Sequence, residues 1–142
     1  MTLTTNSPEE TRAFGKEMAG RLRRGSVLAF SGDLGAGKTC LIQGICEGLA
    51  VAGPVSSPTF IIANEYAGRL GDGQEVPVFH LDLYRIERQA DLDGLGWEEY
   101  LYGDGICLVE WADRAPHIFP KDVFKVRIEV AGESERSITV TE

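Results

Sequence analysis

Eight residues, Gly32-Asp33-Leu34-Gly35-Ala36-Gly37-Lys38-Thr39, follow the spacing G-x-x-x-x-G-K-[ST]. They restrict the chain to folds in which a strand passes through a glycine turn directly into a helix. Both flanks agree with this: Val27-Leu28-Ala29-Phe30 is an apolar run of strand length, and Leu41, Ile42, Ile45 and Leu49 recur on one helical face. Glycines at such positions let the backbone aim its N–H groups at phosphate oxygens, while the helix presents its positive N-terminal end to the same anion. Asp33, Leu34, Gly35, Ala36, Gly37, Lys38, Thr39 and Cys40 are therefore the expected phosphate-contacting run. Lys38 would reach the β and γ phosphates, and Thr39 would set its hydroxyl on a magnesium ion bridging them.

Upstream, Ser7-Pro8-Glu9-Glu10 predicts a helix start, with Ser7 as N-cap, Pro8 at the first helical position and Glu10 at the capping-box site. Phe14, Met18 and Leu22 then form one apolar stripe that Gly25 terminates. Downstream, Gly53-Pro54 and Ser56-Ser57-Pro58 read as a loop. Pro58 biases Ser57 toward extended backbone, so Thr59 enters the β-prone segment Thr59-Phe60-Ile61-Ile62 in a fixed direction. A glycine-rich connection from Gly68 to Glu75 leads to a strand, Val76 to Leu83, and the two β segments are expected to pair as a hairpin. Weaker helical stretches follow at Arg88–Leu92 and Trp97–Tyr102, broken by Gly94 and Gly96. Ile106-Cys107-Leu108-Val109 is continuously apolar, as in a strand buried on both faces, and Val123–Val130 with Ser137–Val140 reads as a terminal hairpin. With no repeat or linker between these pieces, residues 1–142 are expected to form a single domain.

Charge narrows the partners. Fourteen lysines and arginines against 22 acidic residues leave a net charge of −8, whereas a surface that grips nucleic acid unaided needs a basic stripe. The tight basic cluster is Arg21, Arg23 and Arg24, which the dipole at a helix C-terminus explains better than a docking or RNA-contact role does. Direct binding to RNA is not expected. No run approaches the roughly 18 consecutive apolar residues of a membrane span. Met1 to Asn6 lacks the basic and apolar regions of a signal peptide, so a cytoplasmic protein with no membrane partner is expected. Cys40, Cys46 and Cys107 are odd in number and show no C-x-x-C spacing, so they read as reduced small hydrophobes rather than as disulfide or zinc residues.

In an open α/β sheet, ligands bind outside the carboxyl ends of the strands, which is where these readings put Asp82 and Glu110. Alternation along the Val76–Leu83 strand sets Val78, His80 and Asp82 on one face. Magnesium on a nucleotide keeps several waters, so Thr39 with Glu110, or Thr39 with Asp82, would suffice as protein ligands. The remaining carboxylate would hold a metal-bound water or orient the attacking one. Lys38, Asp82 and Glu110 are thus the candidate catalytic residues, against the alternative that either acid pairs with Arg85 or Arg114. Either histidine could touch a ligand, but His80, within a strand, reads rather as a hydrogen-bonded packing residue, and His117, between prolines, has less claim to a role. Trp111 reads either as simple packing or as a lid or partner anchor.

Gly-Asp-Leu-Gly-Ala-Gly-Lys-Thr at 32–39, Ser-Pro-Thr-Phe at 57–60, His-Leu-Asp-Leu-Tyr-Arg at 80–85 and Val-Glu-Trp at 109–111 together resemble the TsaE family of bacterial P-loop ATPases. The resemblance runs from the first helix to the terminal hairpin. It implies a P-loop NTPase-like three-layer α/β/α fold, with a mainly parallel sheet plus antiparallel hairpin strands. It implies further an ATPase, using ATP and Mg2+, needed to make N6-threonylcarbamoyladenosine next to the anticodon of tRNAs that read codons beginning with A. By the same resemblance the protein does not transfer the group itself. It binds and resets the transferase heterodimer through its nucleotide cycle, meets tRNA only through that complex, and is monomeric alone. Lys38 would contact phosphates, Thr39 and Glu110 would hold magnesium, and Asp82 would be the Walker-B-like acid. Thr59 would belong to a switch-like loop that senses the γ phosphate, and Arg136 would lie near the base. Cys40 stands where a second threonine is common, and the insert around Gly71 is longer than the tightest versions of that turn.

Two other classes share the strand, loop and helix. A small-molecule kinase needs an acceptor pocket and an arginine-bearing lid, for which only Arg85 and Arg88 are available. A GTPase reads guanine with Asn-Lys-x-Asp, yet the only asparagines, Asn6 and Asn64, are followed by Ser and Glu.

Overall fold

The computed structural model describes residues 1–32, 37–53, 55, 63–94 and 96–141. Strand β1 (Thr2–Thr5) precedes helix α1 (Pro8–Ala19), strand β2 (Val27–Gly32) and helix α2 (Lys38–Gly48). A hairpin of β3 (Ala63–Arg69) and β4 (Glu75–Asp82) leads to two short helices, α3 (Gln89–Asp93) and α4 (Trp97–Leu101). Strand β5 (Ile106–Glu110) is followed by 3-10 turns at Ala112–Arg114 and Pro116–Ile118, then by the hairpin of β6 (Phe124–Val130) and β7 (Arg136–Thr141). The strands form one sheet in the order β1-β7-β6-β2-β5-β4-β3. Its middle pairings, β6 with β2, β2 with β5 and β5 with β4, are parallel, and the antiparallel hairpins and β1 complete the two sides.

A strand without polar alternation needs cover on both faces, and β5, buried at every residue, has it. On one face Leu28, Phe30, Val78, Ile106, Leu108, Val126 and Ile128 pack against α1 and α2 through Met18, Leu41, Ile42 and Ile45. On the other, Val27, Ala29, Leu81, Cys107 and Val109 meet Leu92 of α3, Leu101 of α4 and the 3-10 residues Ala112 and Ile118. The layers are therefore helix, sheet and helix, as the motif and the resemblance imply, with the second helical layer made of short pieces.

Backbone contact between α1 and α2 sets where the start of α2 sits. A Cβ on Gly44 would fall 2.0 Å from the Arg12 carbonyl oxygen, and one on Gly15 would fall 2.3 Å from the Leu41 carbonyl oxygen. No side chain fits at that crossing. Gly44→Ala is accordingly expected to lower stability by about 1–3 kcal/mol through forced separation of the helices, despite the better helix propensity of alanine. Chemical denaturation checks this, and a midpoint equal to that of the unmodified protein would count against the close crossing.

Several local expectations shift. Ser7 does cap α1, its Oγ accepting the Glu10 N–H at 3.1 Å, but the helix ends at Ala19 with Gly20 as C-cap rather than at Gly25. Leu22 is buried beyond the helix end, on a turn, because a loop residue fills the core as readily as a helical one. Arg21, Arg23 and Arg24 consequently follow the helix instead of forming its last turn, and Arg24 donates to the Glu75 carbonyl. Residues 59–62 lie outside the described residues; the strand pairing with β4 is Ala63–Arg69, which leaves a hairpin connection of residues 70–74, shorter than the expected Gly68–Glu75. Gly68 belongs to the strand, paired with Val76, where a Cβ would fall 2.9 Å from a Val78 methyl carbon and 3.0 Å from the Leu49 carbonyl oxygen. Strand β1, unforeseen, is an edge strand whose alternating Thr-Leu-Thr-Thr is too short to signal alone.

Candidate functional site

The parallel strands β2, β4 and β5 all deliver their carboxyl ends to the same edge of the sheet, and the site assembles there. Gly32, at φ +131°, ends β2 so close to β6 that a Cβ would meet the Ile128 carbonyl oxygen at 1.9 Å. Gly37, at φ +97°, opens α2 in a left-handed conformation and supplies no side-chain cap, so the first-turn N–H groups take no acceptor from the capping residue. Asp33, Leu34, Gly35 and Ala36 lie outside the described residues, as does Thr59.

Lys38, the first residue of α2, is only 6% exposed. Its Nζ donates to the Gly32 carbonyl at 3.3 Å and lies 4.0 Å from the centre of the Trp111 ring. Trp111 takes a left-handed backbone conformation, φ 56°, immediately after β5, and its ring packs on Tyr84 with centroids 4.9 Å apart. The Arg114 guanidinium sits 5.4 Å over the other partner of that pair, Tyr84. Trp111 thus packs and contacts the motif lysine at once. A cation on an aromatic face is held by about 0.5–2 kcal/mol, enough to orient an ammonium without locking it.

Asp82 and Glu110 stand directly opposite each other in the β4–β5 register, and Glu110 is likewise opposite Phe30 of β2. Both acids follow, two residues on, side chains that face α2, so alternation turns both toward the helix that carries Lys38 and Thr39. Glu110 is 4% exposed, and its Oε2 accepts from His80 Nε2 at 2.7 Å. Asp82, half-buried, accepts the Tyr84 N–H on Oδ1 at 2.9 Å. Neither acid pairs with Arg85 or Arg114 among the described contacts; Arg114 goes to an aromatic ring instead. Thr39 is exposed on the first turn of α2.

Burial pushes the Asp82 carboxyl above its ordinary value of 3.8, and the neighbouring Glu110 adds to that, against the opposing pull of the Tyr84 N–H, His80 and Lys38. Because the folded protein binds this proton more tightly than the unfolded chain does, ionised Asp82 costs stability at neutral pH. That cost fades as pH falls through the folded-state value toward 3.8. Asp82→Asn, which keeps the acceptor for Tyr84, is expected to raise the melting temperature slightly at pH 7.5, by about 1–2 °C, and by less at pH 4.5. A gain that grew toward acid pH would contradict the assignment. Two crowded carboxylates beside a lysine are also a donor set that a hard divalent cation relieves and that suits oxygen-seeking Mg2+. Among the described residues no group of three or more His, Cys, Asp or Glu side chains gathers as an all-protein metal cage, which a nucleotide-borne Mg2+ does not require.

Arg136 opens β7 and donates to the carbonyls of Gly132 and Glu135 at 3.3 and 2.8 Å. It lines a cavity of about 210 Å³ with Pro8, Thr11, Gly37, Cys40, Glu133 and Ser134, so Gly37, Cys40 and Arg136 do meet at one place. A larger hollow of about 560 Å³ along the β3–β4 hairpin contains none of the motif residues. Cys46 and Cys107 are buried free thiols, and burial pushes Cys46 up to about 11. His117 is exposed and contacts Gln89 at 3.0 Å. The sequence reading did not pair His80 with Glu110; the available signal was that alternation puts His80 on the Asp82 face.

Residues 5–138 match the family described as threonylcarbamoyl adenosine biosynthesis protein TsaE. A Bacillus subtilis (strain 168) protein named tRNA threonylcarbamoyladenosine biosynthesis protein TsaE is 44% identical over 137 residues, 96% of this chain and 82% of its own length. The protein of the same name from Treponema pallidum (strain Nichols) is 33% identical over 140 residues, 99% of each. The crystal structure of Bacillus subtilis YdiB is similar with a TM-score of 0.77 at 38% identity, covering 99% of this chain and 83% of that one.

Proposed function

The chain belongs to the TsaE family, and we propose that its part in tRNA threonylcarbamoyladenosine biosynthesis is to bind and hydrolyse ATP with Mg2+, not to transfer the threonylcarbamoyl group. The observation that carries this reading is the meeting of Lys38, Asp82 and Glu110 at one end of the sheet, beside the start of α2. Lys38 leaves the Gly32 carbonyl and the Trp111 face for the β and γ phosphates, joined by the backbone N–H groups of residues 33–40. Thr39 and Glu110 hold the metal, Asp82 orients water, Thr59 senses the γ phosphate, and the cavity beside Gly37, Cys40 and Arg136 takes the base. When bound, Mg2+ supplies charge neutralisation on the phosphate oxygens.

The nucleotide state governs docking on the transferase heterodimer of the pathway, and hydrolysis resets that complex between turnovers. A net charge of −8 suits a protein partner better than naked tRNA, which the protein meets through the complex in the cytoplasm. Among the described residues no helix is long and apolar enough to cross a membrane.

Turnover by the protein alone is expected to be slow, and to rise by at least about 10-fold with heterodimer and tRNA present. Measured ATP hydrolysis that is indifferent to both additions would refute partner dependence.

A further inference from the structure

His80, 1% exposed on β4, brings Nε2 to 2.7 Å from Oε2 of Glu110, while its Nδ1 has no hydrogen-bond partner among the described residues. An ionised carboxylate only accepts, so Nε2 carries the proton. The ring is held by this one contact, Nε2–H to Oε2, since Nδ1 has no partner among the described residues to turn it away.

That contact fixes what Glu110 offers. We propose that His80 is a positioning residue: by donating Nε2–H to Oε2 it presents the Glu110 carboxylate to the nucleotide's divalent cation through a single oxygen, and so favours Mg2+ over Ca2+. The inference rests on the reading of Glu110 as a metal-holding residue. Its physical basis is that Ca2+ accepts both oxygens of a carboxylate in a loose, high-coordination shell, whereas Mg2+ demands octahedral geometry and takes carboxylates one oxygen at a time. With Oε2 engaged by a buried imidazole, a chelate must break that hydrogen bond. Outer partners of this kind change metal affinity by about 10–100-fold when removed.

The test measures ATP affinity by calorimetry on the full chain with Mg2+, with Ca2+ and with neither. For the unmodified protein, Mg2+ is expected to tighten binding more than Ca2+ does. His80→Gln, whose amide nitrogen reaches the Nε2 position, keeps that preference within about 3-fold. His80→Asn, which reaches only the Nδ1 position, and His80→Phe lower the Mg2+ to Ca2+ ratio by about 10-fold. Glu110→Gln separates the two layers of the argument: if it retains full metal enhancement, the metal role of Glu110 fails. If it loses the enhancement while His80→Asn and His80→Phe keep the original ratio, the positioning role alone is overturned. Nitrogen-15 NMR of the unmodified protein gives a readout that needs no variant. A proton on Nε2 whose resonance moves when Mg2+ is added to the ADP-bound protein supports the proposal, and an Nδ1–H tautomer overturns it.

Discussion

Replacing Lys38 with alanine is expected to abolish tRNA modification and to lower ATP hydrolysis by at least about 100-fold, with the protein still folded. The ammonium is held by one carbonyl, at 3.3 Å, and one ring face, at 4.0 Å, both of which are compatible with release toward an arriving phosphate. Its loss removes the cation that the helix start and glycine turn cannot replace, because backbone N–H groups contribute only partial charges. The structural penalty is small by comparison. The Trp111 ring loses its cation, worth about 0.5–2 kcal/mol, and the vacated stem leaves some unfilled space, so melting is expected a few degrees lower with unchanged circular dichroism. Modification sustained at the normal rate by purified Lys38→Ala protein would remove phosphate binding as the role of this residue.

Glu110→Gln is expected to reduce Mg2+-dependent hydrolysis by about 100-fold while leaving nucleotide binding in the presence of a chelator within about 3-fold. The amide is chosen because its carbonyl still accepts from His80 Nε2, so the buried contact of 2.7 Å survives while the charge is lost. Glu110→Ala makes a useful contrast. It removes the acceptor as well, strands a buried imidazole N–H, and is expected to cost about 1–3 kcal/mol more stability than the glutamine variant. Parallel loss of hydrolysis and chelator-insensitive binding in Glu110→Gln would mean that this carboxylate supports the pocket rather than the cation.

Much of the site was legible because its parts are short and contiguous. Gly37, Lys38 and Thr39 sit at the start of a helix because a glycine able to take φ +97° precedes a run with helical periodicity. The Ile106–Val109 run reads as a doubly buried strand because nothing polar interrupts it, and Glu110 follows as the first charge at its end. Where the reading missed, the cause is length or distance. Strand β1 has four residues, too few for a periodicity to emerge, and its stability comes from pairing with β7 at the other end of the chain. The α1 stripe of Phe14, Met18 and Leu22 extends past the true helix end because burial of Leu22 requires only that it reach the core.

The chain's local patterns by themselves determined the strand that ends at Gly32 and the helix that opens at Lys38, the terminal hairpin, and the placement of Asp82 and Glu110 at strand ends, since each depends on spacing within about ten residues. Only the tertiary structure decided that β5 lies between β2 and β4, and from that order most of what is particular to the site follows. It makes Asp82 and Glu110 register neighbours, sets His80 under Glu110 and carries Trp111 to the Lys38 ammonium, while the pairing of β2 with β6 and of β6 with β7 brings Arg136 to the cavity beside Gly37. Strand order is chosen by which apolar faces cover one another across the whole sheet, a non-local balance of burial that no single segment encodes.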